Sequence, residues 1–595
     1  MSQFIKFLFA SCLGTALALG LLTVVGIGWL TGLASSATEK EMVSIEPNSI
    51  LELDFKQAIP EKTNNLPLDP FDLENDKVLG LTDIVAAIRR AKADADIKGI
   101  YLNPSALATG KATATTLRQA LADFKSSGKF VVSYASFYSQ GAYYLASVAD
   151  SVLMSPQGAV DFRGYSSMVP FYKGLLDKLD VQMRIFYCGK YKSATEPFRL
   201  EKMSEENRLQ TREYLKALND ILIHDVAESR HITEAELRQI ADRFDGFSGQ
   251  KSVSSHLVDR LVYEDEVLSL LRTKLGLNEK DKLNRIGLND YVKTRGPKLE
   301  LSIKDKIAVV YAEGTIFDGK SAEAGSIYDE NYIKILRKIR KDNTIKAIVL
   351  RVNSPGGSSL SSDNILRELD LCKKAGKPIV VSMGDVAASG GYYIACHADS
   401  IFAEPGTITG SIGVFGMIPI LEKTMRNKLG ITYDTVRTGR FSTFGTPFYD
   451  FSPEEAALIQ GRVDGIYEDF LQKVATGRRR TPEQINEIAQ GRVWTGQKAK
   501  EIGLVDDIGG LDRALAAAAK LAGLEKYRTT EYPKTLSGLE QLISKLTRSN
   551  ERDESAKAWM ARQELGEMYP AYKSMQEFRR SKGILARLPF EMIAN

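Results

Sequence analysis

Cysteine and histidine are scarce in this chain, with four of each in 595 residues. The cysteines, Cys12, Cys188, Cys372 and Cys396, form no C-x-x-C pair. The histidines, His224, His231, His256 and His397, fall at no ligand spacing. Neither a disulfide framework nor a zinc site is implied, and no metal or other cofactor is expected. Net charge is also small, +4 over the whole length. No basic patch is interleaved with aromatics, and the runs Arg478-Arg479-Arg480 and Arg579-Arg580 read as solvated helix ends. Nucleic acid is therefore not an expected partner. Long disorder is not expected either, since 44% of residues are hydrophobic and 26% charged, as in folded proteins.

Long apolar runs are almost absent too, with one exception. Residues 7–33 carry no charge and exceed the roughly 20 residues that a bilayer span needs. A secretory signal has a shorter apolar core, although Ala34-Ser35-Ser36-Ala37 resembles a cleavage site. Lys6 precedes the run, and Glu39 and Glu41 follow it. The positive-inside rule then leaves Met1 in the cytoplasm and the bulk of the chain outside. Residues 1–36 are expected to be a membrane anchor.

What the chain does have is an internal repeat. Ile97-Lys98-Gly99-Ile100-Tyr101-Leu102 matches Ile345-Lys346-Ala347-Ile348-Val349-Leu350. Gly141-Ala142-Tyr143-Tyr144-Leu145-Ala146 matches Gly390-Gly391-Tyr392-Tyr393-Ile394-Ala395. Ala149-Asp150-Ser151 matches Ala398-Asp399-Ser400, and Leu257-Val258-Asp259 matches Leu504-Val505-Asp506. The offset stays between 247 and 250 residues throughout. Each copy opens with an apolar strand (50–55, 307–311) and an amphipathic helix (81–93, 332–341). A buried strand, a second helix (115–124, 363–374), a third strand and a short helix follow. Long helices come later, at 204–228 and 452–476. Strands alternating with helices in this way indicate a mostly parallel sheet with crossovers. The expected divisions are a first copy at 37–277, a charged linker at 278–306, a second copy at 307–531 and a helical tail at 532–595. The end of that tail, Gly583-Ile584-Leu585-Ala586-Arg587-Leu588-Pro589-Phe590, has three candidate docking surfaces: a partner subunit, membrane, or its own body.

The two copies differ where chemistry is concentrated. In the second, Ser389 stands at a strand-to-helix turn and is followed by Gly390 and Gly391. A serine there suits a nucleophile, because the helix start offers N–H groups and partial positive charge to a developing oxyanion. It also suits a plain N-cap. The first copy has Gln140 at this position, which cannot act as a nucleophile. A later loop shows the reverse. The first copy reads Tyr191-Lys192-Ser193-Ala194-Thr195-Glu196-Pro197-Phe198, and Ser442 stands opposite Lys192 in the second. One copy keeps the serine and the other keeps the lysine, as a single shared site would leave behind. Asn353-Ser354-Pro355-Gly356-Gly357 follows a strand in the second copy, and the first copy lacks its glycine pair. This stretch is either a turn or a second source of oxyanion N–H groups, supplied by Gly357 together with Gly390.

With these motifs the chain resembles the long form of the signal peptide peptidase A (protease IV) family of bacterial membrane serine proteases. The resemblance covers anchor, duplicated body and both loops. It implies an α/β fold of tandem duplicated ClpP/crotonase-like repeats with an N-terminal transmembrane helix. It also implies a Ser/Lys dyad with Ser389 as nucleophile and Lys192 as general base. Thr409-Gly410-Ser411-Ile412-Gly413 matches the family motif whose serine, Ser411, orients the lysine. Peptide substrates such as remnant signal peptides, a homotetramer, and a site on the periplasmic side of the inner membrane are implied as well.

The dyad makes a physical demand. A lysine with its ordinary pKa of about 10.4 is protonated at neutral pH and cannot accept a proton. Burial without a carboxylate partner must supply a bias of about 4 kcal/mol toward the neutral amine. Glu196, four residues on, is therefore expected to point away. The rival base His397 lies eight residues after Ser389, about 12 Å along one helix, and Asp385 has no histidine to orient, so a Ser-His-Asp triad fits poorly. Ser126 and Lys129 form a Ser-x-x-Lys match at a helix end of the first copy and read as coincidence. Two other classes compete: a non-catalytic scaffold on a peptidase fold, and a crotonase-type acyl-CoA enzyme, which would lack both the Ser/Lys pair and the anchor.

Overall fold

The computed structural model describes residues 44–55, 57–65, 78–294, 302–321, 323–534 and 585–587. The expected span at 7–33 lies outside them. Among the described residues no helix is long and apolar enough to cross a membrane.

Each copy builds one sheet. The first runs Arg260–Leu261, Ser151–Val160, Phe130–Tyr138, Ile97–Leu102, Ser49–Leu53 and Arg285–Gly287, in that order and all parallel. In the second, Ile379–Ala388, Ile345–Ser354, Lys306–Glu313 and Arg528–Tyr532 repeat the parallel order. The long strand Ser151–Val160 has two counterparts there, Ser400–Ala403 and Ile408–Gly410, both paired to Ile379–Ala388. Helices cover both faces, which is why the strands read as unbroken apolar runs. One face of the second sheet packs on Leu336, Ile365 and Leu369. The other packs Ile307, Val349 and Val380 against Ala514 and Ala518 of helix Leu511–Leu521.

Helix Leu81–Ala93 coincides with its expected range, and the other expected helices appear as Lys111–Lys125, Asp329–Lys341, Ser359–Lys374, Glu205–Arg230 and Pro453–Arg478. Two expectations need correction. The segment 278–306 is not simply a linker. Its strand Arg285–Gly287 pairs with Ile50 to Glu52 as the edge of the first sheet, and helix Leu288–Lys293 buries Tyr291 in the first core. Few apolar residues mark this piece, because an edge strand needs only one buried side chain, here Ile286. Most of the tail expected to be helical, 535–584 and 588–595, lies outside the described residues, and the strands Arg528–Tyr532 and Leu585–Arg587 show that its described pieces are not helix.

A third sheet joins the copies. Its order is Ser326–Tyr328, Thr315–Phe317, Gly356–Ser358, Leu585–Arg587, Phe415–Ile420 and Gln182–Tyr187. The last of these strands belongs to the first copy and lies antiparallel to Phe415–Ile420 of the second. Two polar contacts also tie the copies together. Arg351 and Glu61, both 2% exposed, form a bidentate pair at 2.8 and 3.1 Å. Asp385 accepts N–H bonds from Gly110 and Thr113 and the Thr113 hydroxyl bond. It thereby caps helix Lys111–Lys125, whose own N-cap is Gly110.

Candidate active site

Two parallel strands end together at the site. Ala387 lies opposite Thr409 and Ala388 opposite Gly410, so the next residue of one strand is Ser389 and of the other Ser411. The Ser389 N–H donates to Gly410 O at 2.8 Å, which fixes the two turns to each other. Both serines hold positive φ, 57° and 49°, a conformation that costs a non-glycine residue on the order of 1–3 kcal/mol. The Ser389 hydroxyl makes no capping bond to helix Gly390–Ala395. The plain N-cap reading therefore does not hold, and the hydroxyl is left for another partner.

That partner comes from the first copy. After Gln182–Tyr187 has paired with Phe415–Ile420, Cys188 N–H donates to Val414 O and Tyr191 N–H to Gln490 O. Gln210, buried on helix Glu205–Arg230, donates to Tyr191 O and Ser193 Oγ and accepts from Val493 N–H. The second copy thus holds the backbone just before Lys192 directly, through Gln490, and is tied to the rest of the loop through Gln210. Lys192 Nζ lies 2.8 Å from Ser389 Oγ, 3.1 Å from Ser411 O and 3.1 Å from Ser411 Oγ. All three residues are at most 1% exposed.

Burial holds the Lys192 amine well below its ordinary 10.5. The neutral form suits its neighbours. The carbonyl of Ser411 can only accept, so it takes one N–H, and the Ser411 hydroxyl takes the other. The lone pair then faces the Ser389 hydroxyl. The next oxygen near that hydroxyl is Gly413 O, at 3.4 Å. Glu196 does point away. Its carboxylate accepts from the Ser204 hydroxyl and N–H and from Asn207 Nδ2, which leaves Lys192 without a carboxylate partner among the described residues.

The glycines let backbone segments approach closely. A Cβ on Gly391 would lie 2.6 Å from Ser354 O, and one on Gly357 would lie 2.0 Å from Ile316 O. Gly390 opens the helix directly after Ser389, and that helix packs on strand Gly356–Ser358. The N-terminal end of a helix and a glycine-bearing strand therefore flank the serine.

The first copy has lost this arrangement. Its helix Gln140–Ala146 is capped by Ser139, whose backbone is unstrained at φ −62° and ψ 159°. Gln140 Oε1 accepts from Arg163 and Gly164 N–H, and its Nε2 donates to Gly164 O. The amide closes the turn that remains open beside Ser389. Ser442, opposite Lys192, is exposed and bonds only to Gly439 O within its own loop. His397 is engaged elsewhere, with Asp370 and Lys473 O, and Asp385 is the inter-copy cap. The reading of motifs missed Gln210 and the capping role of Asp385. Gln210 left no signal, because one polar residue in a long helix looks like its solvated neighbours.

Two stretches of the chain, 123–278 and 372–525, match the model of peptidase family S49, one in each copy of the repeat. Protease 4 of Salmonella typhi is 36% identical over 543 residues, covering 89% of this chain and 86% of that protein. Protease 4 of Haemophilus influenzae is 38% identical over 458 residues, covering 74% and 72%. The chloroplastic serine protease SPPA of Arabidopsis thaliana is 32% identical over 477 residues, covering 78% and 70%. A solved ClpP1 mutant of Listeria monocytogenes overlaps 35% of this chain and 94% of its own at 18% identity, with a TM-score of 0.24. The family model matched in both copies, and relatives covered to more than two thirds, define a serine peptidase. The chain is a member of peptidase family S49.

Proposed function

We propose that the chain is a membrane-anchored serine endopeptidase in which Ser389 is the nucleophile and Lys192 the general base. The observation that carries this reading is the 2.8 Å contact between the Lys192 amine and the Ser389 hydroxyl in a water-excluded site. Neutral Lys192 takes the Ser389 proton as Oγ attacks the scissile carbonyl. Ser411 keeps the amine aimed at Oγ by accepting its two N–H bonds. The N–H groups of Gly390 and Gly357 hold the oxyanion. The lysine then gives its proton to the leaving amine, and water, deprotonated by the same amine, releases the acyl group.

Family resemblance supplies the rest. The substrates are remnant signal peptides and other short apolar peptides. Residues 1–36 are the anchor in the bacterial inner membrane, with the body in the periplasm. The two bodies, 37–277 and 307–531, are ClpP/crotonase-like, and the assembly is a homotetramer. Ser389→Ala and Lys192→Ala, made separately and assayed on casein and on a signal peptide, test the dyad. Both are expected to lose activity by at least about a thousandfold while remaining folded. Full activity in either one refutes the dyad.

A further inference from the structure

The buried pair of Arg351 and Glu61 belongs to a larger cluster. Segment 57–65 of the first copy crosses to the ends of strands Lys306–Glu313 and Ile345–Ser354 in the second. There Glu61 N–H donates to Glu313 Oε1 at 2.9 Å, and the Asn65 amide donates to Glu313 Oε2. Asn65 Oδ1 accepts from Gly325 N–H at 3.2 Å, which fixes that amide. The Arg351 guanidinium, besides holding Glu61, donates to Ser382 Oγ and Met383 O at 2.8 Å each. Two carboxyl groups thus meet one guanidinium. The other titratable groups nearby are engaged. Tyr332 of helix Asp329–Lys341 donates its hydroxyl to Tyr311 O, and Glu531 accepts from the Tyr311 hydroxyl. Glu404 and Asp385, which also act on Arg351, add further negative charge.

Glu313 is bonded through its neighbour to the loop that bears Gly357. It stands opposite Asn353 in the sheet. The next residue, Gly314, donates its N–H to Asn353 O at 2.9 Å and accepts the Ser354 hydroxyl at 2.6 Å. The Ser354 oxygen in turn accepts from Gly356 N–H at 3.2 Å. Asn353 Oδ1 accepts at 3.1 Å from Val386 N–H, three residues before Ser389. A displacement at Glu313 therefore reaches both turns that flank the serine.

Burial, and then the Glu61 carboxylate, push the Glu313 pKa up to about 8, against the pull of its two N–H donors and of Arg351. With its proton in place, the three groups are neutral together: one guanidinium, one carboxylate and one carboxylic acid. Once exposed, Glu313 returns to its ordinary 4.5. The closed contact is therefore favoured fully below 4.5, and that preference is lost as pH rises toward about 8.

We propose that protonated Glu313 latches segment 57–65 of the first copy onto loop 353–357 of the second, and that release of its proton to water loosens the loop and lowers turnover. Glu313 is then a positioning residue, acting through Gly314 and Ser354. The proposal rests on the peptidase reading above.

Two full-chain measurements test it. With a short peptide substrate, wild-type kcat is expected to fall about tenfold as pH rises through about 8, a loss within what misplacement of an active-site group causes. Glu313→Gln has no proton to lose, and its kcat should stay flat over the same range. A fall that persists in Glu313→Gln, or no fall in the wild type, overturns the proposal. The second measurement needs no catalysis. In the Ser389→Ala protein, amide hydrogen exchange of the 57–65 segment is followed from about pH 6 to 8 and corrected for the intrinsic rate. Protection should fall with rising pH, and adding Glu313→Gln should hold it constant. If Glu313→Gln fails to fold, the Ser389→Ala protein decides alone, and constant protection there overturns the latch. Falling protection with no peptidase activity in any Ser389-bearing protein would refute the catalytic reading and leave the latch standing.

Discussion

Two of the three polar contacts of Lys192 Nζ go to Ser411, one to its carbonyl oxygen and one to its hydroxyl, both at 3.1 Å. The lysine is therefore aimed by a residue whose own backbone is held at φ 49° by the bond from Ser411 N–H to Arg492 O. Ser411→Gly keeps that backbone accessible and removes the CH2OH side chain while leaving the Ser411 carbonyl contact. It is expected to lower kcat about tenfold or more, within the range that general-base positioning supplies, with KM unchanged. Steady-state kinetics on one peptide substrate check this.

In the proposed dyad Lys192 also fixes the pH dependence. The proposed mechanism needs a neutral amine, and burial holds its pKa well below 10.5. Activity should rise with pH through that lowered value, and Lys192 should govern the acid limb of kcat/KM. Stability has the same sign. Below 10.5 the unfolded lysine binds a proton that the folded one refuses, so folding is favoured more as pH rises across the window between the lowered value and 10.5. Lys192→Met should abolish activity, stabilise the fold near neutral pH and flatten that slope. Urea unfolding at several pH values across the window measures it.

The strain at Ser389 gives a second stability signature. At φ 57° and ψ −117° a glycine sits more easily than a serine. Ser389→Gly should stabilise the protein by about 1 kcal/mol while eliminating activity. Calorimetry on the two proteins decides the matter, and a lower Tm for the glycine variant would contradict it.

Asp385 joins the copies through one helix end. Asp385→Ala leaves Gly110 N–H, Thr113 N–H and the Thr113 hydroxyl without this acceptor, a loss of about 1–2 kcal/mol by analogy with other caps. A Tm lower by several degrees is expected, and Asp385→Asn should recover part of it.

Glu313 should set an alkaline limit. Burial, and then the Glu61 carboxylate, push its pKa up to about 8. The folded protein therefore holds a proton that the unfolded chain releases above 4.5. This contribution is full below 4.5 and is lost as pH rises toward about 8. Glu313→Gln should remove that part of the decline, as read from Tm against pH.

The repeat, the alternation of strands and helices and the pairing of Ser389 with Lys192 were legible because duplication allows the chain to be compared with itself. Gln140 opposite Ser389 and Ser442 opposite Lys192 are visible in the letters alone. Helix Leu81–Ala93 was equally plain from its apolar spacing. What escaped detection depends on contacts between the copies. Nothing local to Asp385 says that it caps a helix in the other copy. The edge strand Arg285–Gly287 has one buried residue and hid inside a charged segment. The three-residue strand Leu585–Arg587 is too short to show any period, and only its neighbours make it a strand.

The sheet that pairs Gln182–Tyr187 with Phe415–Ile420 has a consequence for timing. A ribosome must pass residue 420 before that pairing can close, and Lys192 has no serine to meet until it does. Translation therefore delivers the proposed base early and the proposed nucleophile late. The proposed pair can therefore assemble only after more than two thirds of the chain has been made.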